Sequence, residues 1–275
     1  MSTETQVAAH YGRTRLIEAI DAALVKAGKD PQKLSPEDLA PVDEFHIRGR
    51  AATAELGAHL NLRAGDKLLD VGSGLGGPSR QLAVTYGCDV TGIDLTGEYC
   101  AVANELARRL GLAGRVRYRQ GSALAMPFGD AAFDAAMTQH VAMNIADKAG
   151  LYREVRRVLR AGGRFGIYDL LQGEGGTVHF PVPWARDAST SFLATPEEMR
   201  LFLHGAGFEI TSWIDSSEIG REWFRAVSAR IAEKGQPVLG FHLLMGEDFA
   251  EMARNQMRNL MEDRVRPTEI VCVAI

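Results

Sequence analysis

The chain has 275 residues, 46% of them hydrophobic, and a formal net charge of −4, so it is long and apolar enough to bury a sizeable core. This charge balance argues against the basic field that a nucleic-acid-binding protein carries, and no run approaches the roughly 18 apolar residues of a membrane span. Three scattered cysteines argue against a metal site or a disulfide framework, and a polar start without a signal-peptide pattern favours a cytoplasmic protein. We therefore expect no metal, nucleic-acid or membrane partner, and either a monomer or a homodimer.

The first 60 residues predict a helical segment ahead of the main fold. Apolar residues at helical spacing predict one amphipathic helix over residues 7–27. Ser35 followed by Pro36 is typical of a helix start, and a further helix is predicted over residues 51–62. We interpret residues 1–60 as a helical lid segment and residues 61–275 as the core domain.

Strands and helices alternate regularly through the middle of the chain. The pattern predicts strands over 67–71, 89–94, 116–120, 133–138 and 164–170, and helices over 78–86, 97–110 and 148–159. Helices of this length between strands imply right-handed crossovers, so we expect an α/β fold with a doubly wound, parallel sheet. Ligands bind such sheets beyond the carboxyl ends of the strands.

The last third of the chain departs from this alternation. Residues 172–194 are rich in Gly and Pro and predict a long, functional loop, followed by a helix that begins after Thr195. Strands are predicted over 208–214 and 268–274, with helices over 217–233 and 246–263 between them. We expect residues 172–194 and 215–264 to be insertions that cover a substrate site.

The most specific motif is a glycine-rich turn that follows the apolar residues before Asp70. Gly72, Gly74 and Gly77 match the G-x-G-x-x-G spacing of dinucleotide sites, whereas Gly72, Gly74 and Gly76 match the G-x-G-x-G loop of S-adenosylmethionine (SAM) sites. Glycine lets a ligand approach the main chain closely, and the helix that follows offers free N–H groups. The spacing alone therefore leaves two ligand classes open.

Asp70 distinguishes between these two ligand classes. Its carboxylate would repel the pyrophosphate of a dinucleotide but would attract the ammonium and sulfonium of SAM. Asp94, at the end of the second strand, can accept hydrogen bonds from both ribose hydroxyls in either case. The acidic residue before the turn therefore favours SAM.

Four ordered motifs resemble the class I SAM-dependent methyltransferases, and the resemblance covers roughly residues 60–214. They are residues 69–76, residues 92–94, residues 121–128 followed by Phe133-Asp134, and residues 158–165. The resemblance implies a seven-stranded sheet whose last strand inserts antiparallel. The chain looks like the branch that methylates small amines, which includes sarcosine/dimethylglycine, phosphoethanolamine and sugar-amine N-methyltransferases. Asn144 stands where the phosphoethanolamine enzymes place a histidine, which argues against a phosphobase substrate.

The resemblance also implies which residues hold SAM. Those expected to bind it are Asp70, Gly72, Gly74, Gly76, Asp94, Leu95, Ser122, Ala123, Gln139 and His140. Ser122 replaces the acid that usually accepts the adenine amine, and its hydroxyl is a weaker acceptor than a carboxylate. Gln139 and His140 are expected to border the reacting methyl group.

Acceptor contacts are the least constrained part of the site. His140, Asp169 and Tyr11 are candidate catalytic residues, and His46, Arg50, Asn144, His179 and Trp184 are candidate substrate contacts, although each also suits a packing, capping or surface role. The leading hypothesis is methyl transfer from SAM to an amine nitrogen of a small molecule. The alternatives are an oxygen or sulfur acceptor, an NAD-dependent oxidoreductase, and a non-catalytic SAM-binding protein.

Overall fold

One mixed sheet organises the computed structural model, which describes residues 2–11 and 15–275. The strands in this part of the chain are β1 (Lys67–Val71), β2 (Asp89–Asp94), β3 (Val116–Gln120), β4 (Phe133–Gln139), β5 (Leu159–Gln172), β6 (Phe208–Asp215) and β7 (Val265–Ala274). Their order is β3-β2-β1-β4-β5-β7-β6. The first five strands pair in parallel, and β7 runs antiparallel between β5 and β6. This confirms the predicted seven-stranded, doubly wound fold.

Helices cover both faces of the sheet and the edge at which the parallel strands end. They are α1 (Thr3–Tyr11), α2 (Leu16–Lys26), α3 (Pro36–Asp43), α4 (Arg50–His59), α5 (Gly77–Tyr86), α6 (Gly97–Arg109), α7 (Lys148–Val158), α8 (Pro196–Gly205), α9 (Ser217–Lys234), α10 (His242–Met245) and α11 (Phe249–Met261). Within the described ranges, none of the helices has the length and apolarity needed to cross a bilayer.

Two helix predictions were wrong, each because the backbone turns into the left-handed region. The helix predicted over residues 7–27 is two helices, α1 and α2, and Arg15 precedes α2 with a φ of 63° that an α-helix cannot contain. Residues 12–14 lie outside the described residues. The helix predicted over residues 246–263 begins later, at α11, since Gly246 has a φ of 75° and separates it from α10.

Strand register brings the predicted cofactor residues to one edge of the sheet. Asp70 in β1 aligns with Gly92 in β2 and with Met137 in β4. The N–H groups of Gly72 and Ser73 both donate to the carbonyl of Ile93, at 2.8 and 3.0 Å. The glycine turn is therefore fastened to the end of β2, directly before Asp94.

A buried ion pair supports the glycine turn from below. Arg80 on α5 is 1% exposed and donates to the carboxylate of Asp43, at the end of α3, over 2.6 Å. The same guanidinium donates to the carbonyl of Leu75 in the turn, at 2.7 Å. Removing one partner of such a pair leaves a buried charge uncompensated, so the pair fixes α3 against α5.

Candidate active site

A cavity of about 320 Å³ lies at the carboxyl ends of β1, β2 and β4. It is closed by α1, by residues 43–46 and by the segments after β3, β4 and β5. The predicted site residues that line it are Tyr11, His46, Asp70, Gly72, Gly74, Asp94, Leu95, Ala123, Gln139, His140, Asn144 and Trp184. Residues far apart in the chain thus meet at the edge where the topology places a ligand.

Two glycines of the turn are required by close contacts. Gly72 and Gly74 have φ values of 75° and 52°, which residues with a side chain rarely adopt. A Cβ on Gly72 would lie 2.4 Å from Cγ2 of Val141, and one on Gly74 would lie 3.0 Å from Cε2 of Phe45. A side chain at either glycine would therefore collide with Val141 or Phe45. Without side chains, the turn leaves its main chain accessible to a ligand.

Gly76 serves packing and does not line the cavity, so the structure does not support its predicted cofactor contact. A Cβ there would lie 2.1 Å from the hydroxyl oxygen of Tyr118. That hydroxyl donates to the carbonyl of Gly76 at 3.0 Å. The third glycine of the motif thus lets β3 approach the start of α5.

Asp70 is a buried carboxylate facing the cavity. It is 3% exposed, and one of its oxygens accepts a 2.6 Å hydrogen bond from the hydroxyl of Ser79. Its pKa is raised to about 7, chiefly by burial and also by the nearby charge of Asp94, although the hydrogen bond from Ser79 acts to lower it. A cationic ligand group beside it would favour the charged form.

Asp94 is held by the backbone in the position expected for binding a ribose. Its Oδ2 accepts the N–H of Gly74 at 2.9 Å, and its Oδ1 accepts the N–H of Thr96 at 2.8 Å. A carboxylate has about four acceptor sites, so each oxygen retains capacity for a hydroxyl. The hydroxyl of Ser73, in the same turn, is buried without a hydrogen-bond partner in residues 2–11 and 15–275. The carboxylates of Asp70 and Asp94 together with the hydroxyl of Ser73 fit a cationic nucleoside such as SAM.

His140 stands at the end of β4 in a constrained position. Its φ is 53°, and its backbone N–H donates to the backbone carbonyl of Tyr168 at 2.8 Å. The imidazole stacks on the Tyr168 ring with centroids 5.4 Å apart, and its Nε2 has no partner within the described ranges. Burial lowers its pKa well below 6.5, and His46 adds to this effect. The ring is therefore neutral at neutral pH.

His46 forms the second wall of this part of the cavity. Its Nε2 lies 3.0 Å from the carbonyl oxygen of Gly49 and 3.3 Å from Nε2 of Gln139, and its ring meets the His140 ring edge-on at 6.0 Å. Burial lowers its pKa to about 4. Both imidazoles are thus uncharged bases enclosed by protein.

Asn144 joins α1 to the loop after β5. Its Nδ2 donates to the carbonyls of Trp184 at 2.7 Å and Thr190 at 2.9 Å, so its Oδ1 is left to accept the Tyr11 hydroxyl at 3.2 Å. Burial raises the pKa of Tyr11 above its usual range. Tyr11 therefore acts as a hydrogen-bond donor that closes α1 over the cavity, and its phenol is poorly suited to accept a proton.

Four other predicted site residues lie outside the cavity lining. Asp169 is 1% exposed and accepts the N–H groups of Ala142 and Val141, so it holds the segment after β4. Of the other three, Arg50 and His179 pair with residues outside the lining, whereas Ser122 contacts a residue of the lining. Arg50 pairs with Glu37 at the surface, His179 pairs with Glu262, and Ser122 donates its hydroxyl proton to Glu4.

Several aromatic lining residues were not predicted from the sequence. Phe45 stacks on Phe241 with centroids 5.0 Å apart, and Tyr99 meets the edge of Phe45. Phe45 begins the aromatic and basic sequence over residues 45–50, just before α4, and this pattern could have identified Phe45 as a site residue. Nothing in the apolar spacing around Phe241 distinguishes it from a core residue. Most of this wall is therefore formed by tertiary packing.

The charges around the cavity have one sign. In the described part of the chain, its lining contains no lysine or arginine, whereas Glu4, Asp43, Asp70, Asp94 and Asp147 contribute carboxylates. A phosphate or carboxylate on an acceptor would find no cationic side chain there, and the carboxylate of a bound SAM would depend on backbone N–H groups. The cavity therefore suits a cationic cofactor together with an acceptor that carries no negative charge.

Comparisons with known proteins indicate similarity to methyltransferases. A family profile described as a methyltransferase domain matches residues 69–167. O-methyltransferase resE from Aspergillus sclerotiorum is 31% identical over 184 residues, which cover 65% of this chain and 68% of that protein. Sterol 24-C-methyltransferase ERG6B from Gibberella zeae is 36% identical over 116 residues, 42% of this chain but only 30% of that protein's length.

A solved structure shows the same fold at low sequence identity. Phosphoethanolamine N-methyltransferase 2 from Haemonchus contortus, in complex with SAM, superposes with a TM-score of 0.77 and 19% identity. The match covers 100% of this chain and 60% of that one. By their names, the ERG6B protein methylates carbon, resE methylates oxygen and the phosphoethanolamine enzyme methylates nitrogen, so the methylated atom differs among the three.

Proposed function

The chain belongs to the SAM-dependent methyltransferases, and from this premise we propose that it methylates a hydroxyl oxygen of a neutral, largely apolar small molecule. The observation that carries the proposal is the buried, neutral imidazole of His140 beside a cavity whose lining lacks cationic side chains in the described residues. An O-methyltransferase at 31% identity supports the choice of oxygen. The amine acceptor favoured by the sequence becomes the second candidate.

The residues around the glycine turn would hold the cofactor. Gly72 and Gly74 would admit the methionine part, Asp70 would face its ammonium, and Asp94 would accept the ribose hydroxyls. When bound, SAM supplies a methyl group on a positively charged sulfur, which makes transfer an in-line displacement. The protein contributes mainly alignment and the exclusion of water.

His140 would receive the proton that the acceptor loses. A hydroxyl is a weak nucleophile until it is deprotonated, and a neutral imidazole is the common proton acceptor for this purpose. The hydrogen bond from the backbone N–H of His140 to the backbone carbonyl of Tyr168 fixes the main chain, and the stacked Tyr168 ring fixes the imidazole. His46 stands beside it and is uncharged as well.

Electrostatics favour oxygen over nitrogen as the acceptor atom. Burial lowers the pKa values of His46 and His140, so a proton that His140 accepts is readily released again, whereas a lasting positive charge on a bound product is disfavoured at that wall. O-methylation leaves a neutral ether, whereas N-methylation of an aliphatic amine leaves a product that is cationic at neutral pH. A neutral acceptor therefore fits this wall better.

An amine acceptor remains the second candidate because the cavity lining also contains groups that attract a cation. Asp147 contributes a carboxylate, and Trp184 contributes an aromatic side chain. Carboxylates and an indole face both attract an ammonium group.

Incubation with SAM carrying a deuterated methyl group would test the acceptor atom. The panel is a matched set of one alkylphenol, the corresponding alkylaniline and benzylamine, and the phenol with an added carboxylate. We expect mass spectrometry to show the labelled methyl ether of the neutral phenol, with an equal amount of S-adenosylhomocysteine. Methylation of the amines alone would support the second candidate, and SAM binding without turnover would favour a non-catalytic protein.

A further inference from the structure

The strand order fixes where the nucleobase of a bound cofactor lies. From β4 through β1 to β2 and β3, the sheet edge presents His140, the glycine turn, Asp94 and then the turn 121–124. A nucleoside with its ribose on Asp94 and its sulfur side toward His140 therefore places its base over the turn 121–124. Leu95, Ala123 and Leu124 line the cavity at this end.

The carboxylate of Glu4 lies at the same end of the cavity. Glu4 is in the first turn of α1 and lines the cavity with Thr3 and Val7. Its carboxylate accepts a hydrogen bond from the hydroxyl of Ser122. This contact joins α1 directly to the turn on which the base would lie.

Ser122 is already occupied by this arrangement. Its hydroxyl proton is directed to Glu4, and its oxygen accepts the N–H of Leu124 at 3.1 Å. A hydroxyl has one donor and two acceptor sites, so little capacity is left for a ligand. The Glu4 carboxylate, by contrast, has about four acceptor sites and uses one of them for Ser122.

We propose that Glu4 is a cofactor-binding residue whose carboxylate accepts the exocyclic amino group of adenine, with Ser122 holding that carboxylate in place. An amino group donates two hydrogen bonds and suits a carboxylate, whereas an exocyclic carbonyl oxygen at the same position would be repelled. Docking of α1 thus completes the nucleobase site. The inference rests on SAM as the cofactor and is independent of the methyl acceptor.

Binding of two product analogues that differ at this one group would test the inference. We would measure S-adenosylhomocysteine and S-inosylhomocysteine, in which oxygen replaces the amino group, by calorimetry on the full chain. We expect the unmodified protein to prefer the adenosyl compound about tenfold or more. Glu4→Gln should reduce this preference to near one, because an amide both donates and accepts. Glu18→Gln on α2, a surface carboxylate beside Arg15, is the matched control and should keep the full preference.

The possible results separate this inference from the proposed function. Full discrimination in Glu4→Gln, or an equal loss of affinity for both compounds, would overturn the role of Glu4 in reading the base. Equal binding of both compounds by the unmodified protein would overturn it as well. Failure of the unmodified protein to bind S-adenosylhomocysteine would overturn the methyltransferase proposal itself.

Discussion

His140 combines a strained backbone with a buried, uncharged side chain. A φ of 53° is uncommon for a residue other than glycine and costs free energy that the surrounding structure must supply. The hydrogen bond from its N–H to Tyr168 and the stacked rings hold it there. Such strain is typical of functional positions, and here it orients the imidazole that we assign to proton transfer.

At the scale of this residue, we expect a pH profile without the usual histidine inflection. The pKa of His140 lies well below 6.5, so the imidazole stays neutral and able to accept a proton as the pH falls through 6.5. Steady-state kcat should therefore show no inflection as the pH falls from 8 through 6.5. A half-maximal value near pH 6.5 would contradict the assignment.

Substitution of His140 provides the companion measurement. His140→Gln should lower kcat about a hundredfold or more while leaving the affinity for S-adenosylhomocysteine unchanged, because the imidazole acts on the acceptor and not on the cofactor. His204→Gln, on the exposed side of α8, is the control and should keep the kcat of the unmodified protein. Equal losses of cofactor affinity and kcat in His140→Gln would indicate a structural role instead.

Asp94 carries the expected ribose contact, and its loss should be visible in binding. Asp94→Asn removes a charged acceptor that the N–H groups of Gly74 and Thr96 hold in position. We expect the affinity for S-adenosylhomocysteine, measured by calorimetry, to fall by about 1–3 kcal/mol. Asp89→Asn, at the exposed start of the same strand, should bind normally. Unchanged affinity in Asp94→Asn would refute the assignment.

At the scale of the element, α1 depends on a few polar contacts. None of its described residues is fully buried, although Tyr11 is partly buried against the core. Its polar contacts include Tyr11 to Asn144, His10 to the carbonyl of Pro183, and Glu4 to Ser122. A helix without an apolar buried face gains little from packing and opens at low cost. The role of residues 1–60 as a lid segment stays a prediction that this arrangement supports.

Removing one of these contacts should loosen the helix measurably. Tyr11→Phe deletes the hydroxyl that donates to Asn144, a contribution of about 0.5–1.5 kcal/mol. We expect faster hydrogen exchange of the α1 amides and a smaller slowing on addition of S-adenosylhomocysteine. Tyr86→Phe, on α5 beside Gly57, is the control. Identical exchange in both variants would show that the phenol ring alone holds α1.

At the scale of the whole molecule, the cofactor site works against stability at neutral pH. The pKa of Asp70 is about 7 when folded and is ordinarily 3.8, so the folded protein binds this proton more tightly than the unfolded chain does. The resulting stabilisation is present below about pH 4 and is lost as the pH rises to 7. Ionisation of a buried carboxylate is the physical cost.

Asp70→Asn should remove the free-energy cost of ionising a buried carboxylate. Because the amide does not ionise, the free energy of unfolding of the variant relative to the unmodified protein should increase between pH 4 and pH 8. Urea denaturation at both values measures the difference, with Asp89→Asn as a control whose relative stability stays constant. Saturating S-adenosylhomocysteine should reduce this difference in the free energy of unfolding, since its ammonium favours the charged form of Asp70 in the unmodified protein. A pH-independent difference would contradict the raised pKa.

The sequence predicted the sheet far better than it predicted the surroundings of the cavity. Apolar runs set the bounds of β1, β2 and β3, and the topology then places Asp70, Asp94 and His140 at one edge. By contrast, α1 and Phe241 reach the cavity through tertiary packing, which local spacing does not encode. Arg50 pairs with Glu37, and His179 pairs with Glu262. No pattern in the sequence indicated either pair.

The position of β7 has a consequence for synthesis on the ribosome. Among the described residues, β6 pairs only with β7, which also pairs with β5, so the strand that joins them is the last of the sheet to be translated. Until Ala274 has left the exit tunnel, the nascent chain carries an open edge along β5 and a solitary β6. Unpaired edges of this kind invite aggregation, so chaperone demand should peak just before the final strand emerges.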